Sequence, residues 1–237
     1  MESREHGLVA ARSLIRLQNW LSPAFPTGSY SYSHGLEWAI ESNQVHDRTS
    51  LVDWLDADLR HGSGRNDAIL FVEAWRCATD GHHTRLLETA EIAAAFRGTS
   101  EFALEASQQG ASCLATLRDV WPDPAIEALS EGLRQRNIQP VLPIVIAVRS
   151  ATEGVPVGTA LRAFLCASVG NFVTAGVRLI PLGQTDGQRA LAGLEHAVLE
   201  ASERALTACI DDLGSVALMV DFASMWHETQ YTRLFRS

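Results

Sequence analysis

Leu21 to Trp38 read LSPAFPTGSYSYSHGLEW, a stretch whose serine, tyrosine and histidine side chains could do chemistry. The five residues SYSHG, centred on Ser33, come nearest to the G-x-S-x-G elbow in which a hydrolase serine attacks an acyl carbon. Ser31 stands where that elbow needs its first glycine, and no predicted strand precedes it. A hydrolase that uses Ser33 and a histidine is therefore kept as an alternative. The interpretation we favour is that Ser29, Ser31 and Ser33 bond local backbone groups in a turn or helix cap.

Phosphate and metal chemistry are not indicated by the other polar residues. The segment SPAFPTGSYS has one glycine and no lysine, so it lacks the backbone donors and the cation of a phosphate loop. His82 and His83 are adjacent, would point about 100° apart on a helix, and have no partner four residues on. We predict no stably bound cofactor and no metal site within this chain.

The C-terminal stretch DFASMWHETQYTRLFRS combines large apolar side chains with Arg233 and Arg236, and no long helix is predicted there. Such side chains are costly to expose, and aromatic residues, methionine and arginine are enriched at protein interfaces. We predict an all-helical domain over 1–221 and a partner-docking tail over 222–237. The alternative is a tail folded back on the core of the chain. Tyr30 and Tyr32 fit either a docking loop or a plug between the first two helices.

Composition favours one ordered domain, since 46% of the 237 residues are hydrophobic and 20% are charged. The net charge of −9 argues against nucleic acid and anionic membranes as partners. The N-terminal MESREHGLVAARSLIRLQNW lacks the apolar run of a signal peptide, and no uninterrupted run approaches the ~20 apolar residues of a membrane span. We predict a cytoplasmic protein that does not enter a membrane.

Apolar residues recur at helical spacing along most of the chain, and no convincing strand ladder is present. We predict an all-α, single-domain bundle of about ten helices. The predicted helices cover about 8–21, 35–45, 50–61, 67–79, 83–96, 100–120, 124–134, 140–152, 156–179 and 185–214. The helices over 140–152 and 156–179 are apolar on nearly every side, so they must be surrounded in the core or across a subunit interface.

Three stretches, LSPAFPTGSYSYSHGLEWAIE, RLIPLGQTDGQR and SMWHETQYTRLFRS, resemble the urease accessory protein F family in order and spacing over nearly the whole chain. Between Arg65 and Val155 the likeness lies mainly in the helical pattern. The resemblance implies an all-helical protein that is not an enzyme, forms a homodimer and binds the accessory protein called D or H. That assembly would recruit the GTPase called accessory protein G and couple GTP hydrolysis to nickel delivery into apo-urease, so nickel would be handled by the assembly.

The same resemblance implies roles for individual residues. Those expected to dock on the D/H partner are Ser224, Met225, His227, Glu228, Thr229, Gln230, Tyr231, Arg233, Leu234 and Phe235. Those expected to shape a partner-facing loop or passage are Pro26, Gly28, Tyr30, Ser31, Tyr32 and Glu37. Those expected to hold a helix junction beneath it are Gln184, Asp186, Gly187, Gln188 and Arg189. A regulator of a metal-loading GTPase that serves a different nickel or cobalt enzyme stays an alternative.

Overall fold

Eleven α-helices form the framework of residues 2–236, which the computed structural model describes, with side chains from residue 10 onward and at residue 8. The helices are α1 (Glu2–Trp20), α2 (Leu36–Glu41), α3 (Arg48–His61), α4 (Ser63–Asp80), α5 (His83–Ala95), α6 (Ser100–Val120), α7 (Pro124–Arg136), α8 (Leu142–Thr152), α9 (Val157–Leu179), α10 (Gln184–Thr207) and α11 (Leu218–His227). Short 3-10 turns lie at Ser29–Ser31 and Ile210–Asp212. The predicted all-α class is confirmed, with one helix more than about ten.

The centre of the bundle is α8, which is buried from Pro143 to Ser150 and packs against α4, α6, α7 and α9. Its apolar surroundings explain why the sequence is apolar on every side of this helix. The longer α9 behaves differently. It buries eight residues against α10, α8 and α4, whereas Thr159, Cys166 and Thr174 face outward. By length and composition α9 is also the one helix within residues 2–236 that could cross a membrane, and it lies in this core.

Two helices, α3 and α10, start earlier in the chain than predicted. Ser50 was expected to begin α3, yet Asp47 is the cap, and Ser50 donates its backbone N–H to the Asp47 carboxylate at 2.8 Å. The Ser50 hydroxyl in turn accepts from the Asp47 N–H, so the two form a reciprocal capping box. The sequence also places Gln188 three residues after Thr185, in the form of a second capping box. No such box forms, since α10 begins at Gln184 after Gly183, which contributes no side-chain cap.

Gly110 on α6 lies directly against the backbone that leads into α8. A Cβ at this position would lie 2.3 Å from the Pro140 carbonyl oxygen and 2.6 Å from the Val141 Cα, both backbone atoms just before α8. Replacing Gly110 with alanine is therefore expected to lower the free energy of unfolding by about 1–3 kcal/mol, the cost of overpacking a core. The measurement is urea unfolding followed by far-UV circular dichroism.

Gly132 on α7 provides the matched control, because it is also a buried helical glycine. The three atoms nearest to its added Cβ all belong to the Leu87 side chain, with Cδ1 at 2.7 Å and Cδ2 at 2.8 Å, and that half-buried side chain can move aside. The helix preference of alanine over glycine, about 1 kcal/mol, should offset that movement. Equal losses for Gly110→Ala and Gly132→Ala would contradict the proposed backbone clash.

Candidate functional site

The last helix, α11, carries the largest apolar side chains on the protein surface and is amphipathic. Val220, Ala223, Ser224 and His227 face inward onto α2 and α6. The outward side chains keep between 41% and 59% of their surface exposed, and they are Leu218, Met219, Phe222, Met225 and Trp226. We call these five residues the α11 apolar face. Isolated surface hydrophobics are ordinary, but five along one helix make a contiguous patch of the kind that marks interaction sites.

The sequence-based prediction missed this helix. The last predicted helix ends at about residue 214, and no long helix is predicted in the C-terminal stretch that begins at Asp221. The predicted boundary after residue 221 falls inside α11. Helical periodicity from Leu218 through Phe222 to Trp226 was the available signal, and tertiary packing against α2 decides in favour of it.

A direct backbone contact holds α11 against the opening motif. Gly35 adopts φ of +76°, and a Cβ there would lie 2.8 Å from the Ser224 backbone nitrogen. Any larger residue would both strain this left-handed conformation and push the helices apart. The Ser224 hydroxyl also lies 2.7 Å from the Thr99 hydroxyl, in the cap of α6. The first and third of the motifs quoted above therefore meet in space.

His227 occupies the centre of this contact and is completely buried. Its Nδ1 lies 2.8 Å from Glu101 Oε2, and its Nε2 lies 3.1 Å from Glu37 Oε2. Both carboxylates are themselves nearly buried. Burial raises the pKa of Glu101, although His227 and Arg233 act in the opposite direction. We call Glu37, Glu101 and His227 the His227 cluster.

The residues after α11 return to this cluster. The backbone N–H groups of Leu234 and Phe235 donate to the Glu37 carboxylate at 2.6 and 2.9 Å. Arg233 donates to Glu101 Oε1 at 3.1 Å. Beyond them the Arg236 N–H donates to the Ser31 carbonyl at 2.8 Å. Residues 228–236 are the part of the predicted tail that follows α11, and from here on we call only these residues the tail. They are bound along the opening loop, with the buried Phe235 ring under the Arg178 guanidinium.

The structure divides the residues predicted to dock on a partner into two groups. Ser224, His227 and Phe235 are buried within the chain, so their side chains cannot reach a partner in this conformation. Gln230 is half-buried and donates to Glu41. The exposed members are Met225, Glu228, Thr229, Tyr231, Arg233 and Leu234. Docking by the second group stays a prediction, and Leu218, Met219, Phe222 and Trp226 extend it.

The opening loop is divided in the same way. Pro26 and Tyr30 are exposed, Gly28 and Ser31 are half-buried. Tyr32 is buried and donates its hydroxyl to Gln108. Glu37 is buried as well, so it supports the tail from within.

The residues expected at the helix junction contact α3 and α9. Asp186 bonds Arg189 at 3.0 Å and Arg48 at 3.4 Å, and Gly187 packs closely on Val177. Gln184, Gln188 and Arg189 are exposed.

Ser33, the candidate nucleophile, is completely buried and accepts the Glu37 backbone N–H at 3.3 Å. It caps the start of α2, as the turn interpretation predicts.

A different row of side chains has the outline of a catalytic triad. His34 Nε2 lies 2.6 Å from the Ser63 hydroxyl, and its Nδ1 lies 3.1 Å from Glu105. Ser63 donates its proton to Asp58 at 3.0 Å. Burial opposes the charged ring of His34, yet Glu105, Asp58 and Asp67 together raise its pKa. Because the Ser63 hydroxyl gives its proton to Asp58, its oxygen accepts from His34 Nε2–H, which is the reverse of the direction that a general base requires.

This row lines a cavity between α3, α4, α6 and α9, whose lining also includes Asp67, Arg97 and Gln109 but is mostly apolar. Arg97 pairs with Asp67 at 2.8 Å. Within the described residues, no group of three or more histidine, cysteine, aspartate or glutamate side chains is arranged to hold a metal ion. The charged and polar side chains of this cavity bond mainly one another.

The fold and this surface define a class: an all-α protein whose distinguishing features are an outward apolar helix and a tail bound to its own body. The UreF family model matches residues 45–195, which is more than half of the chain. Urease accessory protein UreF of Rhodopseudomonas palustris strain BisB5 is 48% identical over 95% of this chain and 91% of its own length. The same-named protein of Bradyrhizobium diazoefficiens is 47% identical over 96% of this chain and 93% of its own length. That of Granulibacter bethesdensis is 44% identical over 95% of this chain and 94% of its own length. The chain belongs to the UreF family of urease accessory proteins.

Proposed function

We propose that this protein acts in urease maturation as a non-catalytic adaptor in the cytoplasm. Its C-terminal segment docks on accessory protein D or H, the assembly recruits the GTPase accessory protein G, and GTP hydrolysis is coupled to nickel delivery into apo-urease. The observation that carries the proposal is the α11 apolar face, which is held in place from beneath and left open to a partner.

The form of this surface fits a helix-in-groove contact. In that mode an amphipathic helix lays apolar side chains spaced three, four and seven residues apart into a hydrophobic groove. Leu218, Phe222 and Met225 have this spacing, and Trp226 stacks on both Trp38 and Phe222. Rings fixed in this way lose little conformational entropy when a partner covers them. Tyr231 and Leu234 of the tail extend the exposed apolar surface toward Tyr30.

Self-association is the second part of the proposal. The outward side of α9 presents small and weakly polar side chains, including Thr159, Cys166, Gly170 and Thr174. Small side chains allow two helices to approach closely, so this side of α9 is the region we assign to a homodimer. Nickel would pass through the assembly as cargo, since no metal-binding group is arranged within the described residues.

Light scattering after size exclusion tests the proposal with the chain alone, with accessory protein D, and with D and G together. We expect a dimer that binds D, and that gains G only when D is present. A mass unchanged by D would contradict the docking function, and recruitment of G without D would contradict the proposed order of assembly. Loading of a different nickel or cobalt enzyme, with urease unaffected, would identify the alternative GTPase regulator.

A further inference from the structure

The His227 cluster has an unusual proton requirement. A neutral imidazole has one donor nitrogen and one acceptor nitrogen, whereas both nitrogens of His227 face carboxyl oxygens, and an ionised carboxylate can only accept hydrogen bonds. Glu37 also accepts from Leu234 N–H at Oε1 and from Phe235 N–H at Oε2, and these donated bonds favour its ionised form. Nε2–H can donate to Glu37 in either charge state of the ring. The additional proton therefore lies between Nδ1 and Glu101.

We propose that the His227 cluster is a proton-dependent latch, in which one proton held between His227 and Glu101 keeps the tail folded and its loss at higher pH releases the tail. Without that proton, the Nδ1 lone pair would lie 2.8 Å from a carboxylate oxygen in a buried site. Opening relieves this repulsion by letting water reach both groups. The consequence for partner docking rests on the function proposed above.

The charged groups around the cluster also favour a folded tail at low pH and an open tail at higher pH. Glu37 comes from α2, Glu101 from α6, and Arg233 from the tail. Glu228, at the end of α11, adds a further negative charge near Glu101. Burial raises the pKa of Glu101, so the folded site keeps its proton to a higher pH than the open site does. The stabilisation is thus present at low pH and lost as pH rises.

The latch predicts opposite states of the tail for two isosteric variants. In Glu101→Gln, the amide N–H₂ supplies a permanent donor to Nδ1, so a neutral His227 satisfies both neighbours and the latch needs no additional proton. In Glu37→Gln, the amide leaves one acceptor oxygen where Leu234, Phe235 and His227 all donate. Glu101→Gln should keep the tail closed across the pH range, and Glu37→Gln should open it throughout.

The experiment measures amide hydrogen exchange at Leu234 and Phe235 by NMR in the full chain without partners, from about pH 5 to about pH 8, where histidine charge ordinarily changes. Protection relative to the intrinsic exchange rate should fall by about tenfold per pH unit in the wild type once the proton begins to leave, because one proton is involved. The protection should be high and independent of pH for Glu101→Gln, and low and independent of pH for Glu37→Gln. Urea unfolding confirms that each variant is folded.

Protection that is independent of pH in the wild type would overturn the latch, and so would Glu101→Gln with the slope of the wild type. Binding of accessory protein D is then measured at both ends of the range. A role in docking would be supported if the affinity of the wild type for accessory protein D changes with pH in step with tail protection. The affinity of Glu101→Gln should then be the same at both ends of the range. No binding at any pH would overturn the docking function alone, since the exchange data decide the latch without a partner.

Discussion

Replacing Met225 with glutamate is expected to weaken binding of accessory protein D by at least about 30-fold, which corresponds to about 2 kcal/mol. Met225 belongs to the α11 apolar face and keeps 45% of its surface exposed, so the isolated chain should fold normally. In the docked state the new carboxylate would be desolvated among apolar side chains without a cation to pair with it. The measurement is titration calorimetry with purified accessory protein D.

Leu199→Glu is the matched control. Leu199 is 50% exposed on α10, so the change puts the same charge at an apolar helix position outside the proposed docking surface. We expect its affinity for accessory protein D to equal that of the wild type. Normal binding by Met225→Glu, or an equal loss for Leu199→Glu, would show that the α11 apolar face does not dock.

Replacing Arg149 with alanine is expected to lower the free energy of unfolding by about 3–5 kcal/mol, the range for breaking a buried ion pair from one side. The Arg149 side chain is 4% exposed and binds Glu153 at 2.8 Å and Asp123 at 3.1 Å. Its guanidinium also lies 4.9 Å from the Trp20 ring centroid. Removal leaves two carboxylates without this cation and a cavity between α1, α7 and α8. Burial already lowers the pKa of Arg149 despite both acids, which shows how costly an unpaired charge would be here.

Arg134→Ala is the comparison, because it also removes an arginine bonded to a carboxylate. Arg134 donates to Glu131 at 2.7 Å, but the two side chains are 74% and 51% exposed. Water replaces such a contact at almost no cost, so urea unfolding should detect little change. Similar losses of unfolding free energy for Arg149→Ala and Arg134→Ala would contradict the large contribution assigned to the buried Arg149 ion pairs. Retained Glu153 pairing with Arg16, at 2.7 Å, limits the expected loss to the stated range.

The sequence by itself determined the fold class and most helix bounds, because these depend on local chemistry. The predicted helix from Ser100 to Val120 is observed with the same bounds, since Thr99 caps its first turn and WPDP prevents its continuation. The spacing of apolar residues likewise predicts that α8 is central. Family membership also followed from sequence, because three separated motifs match in order.

Only the tertiary structure decided how the C-terminal segment is arranged. Glu37 and His227 are 190 positions apart, and no local pattern could show that they share a hydrogen bond. Nor could composition tell that Phe235 is buried while Leu234, its neighbour, is 59% exposed. Apolar residues in a terminal segment serve equally well for burial or for docking, so their sequence predicts only that something covers them. Which side chains face inward is set by the approach of α11 to Gly35, a contact between distant parts of the chain.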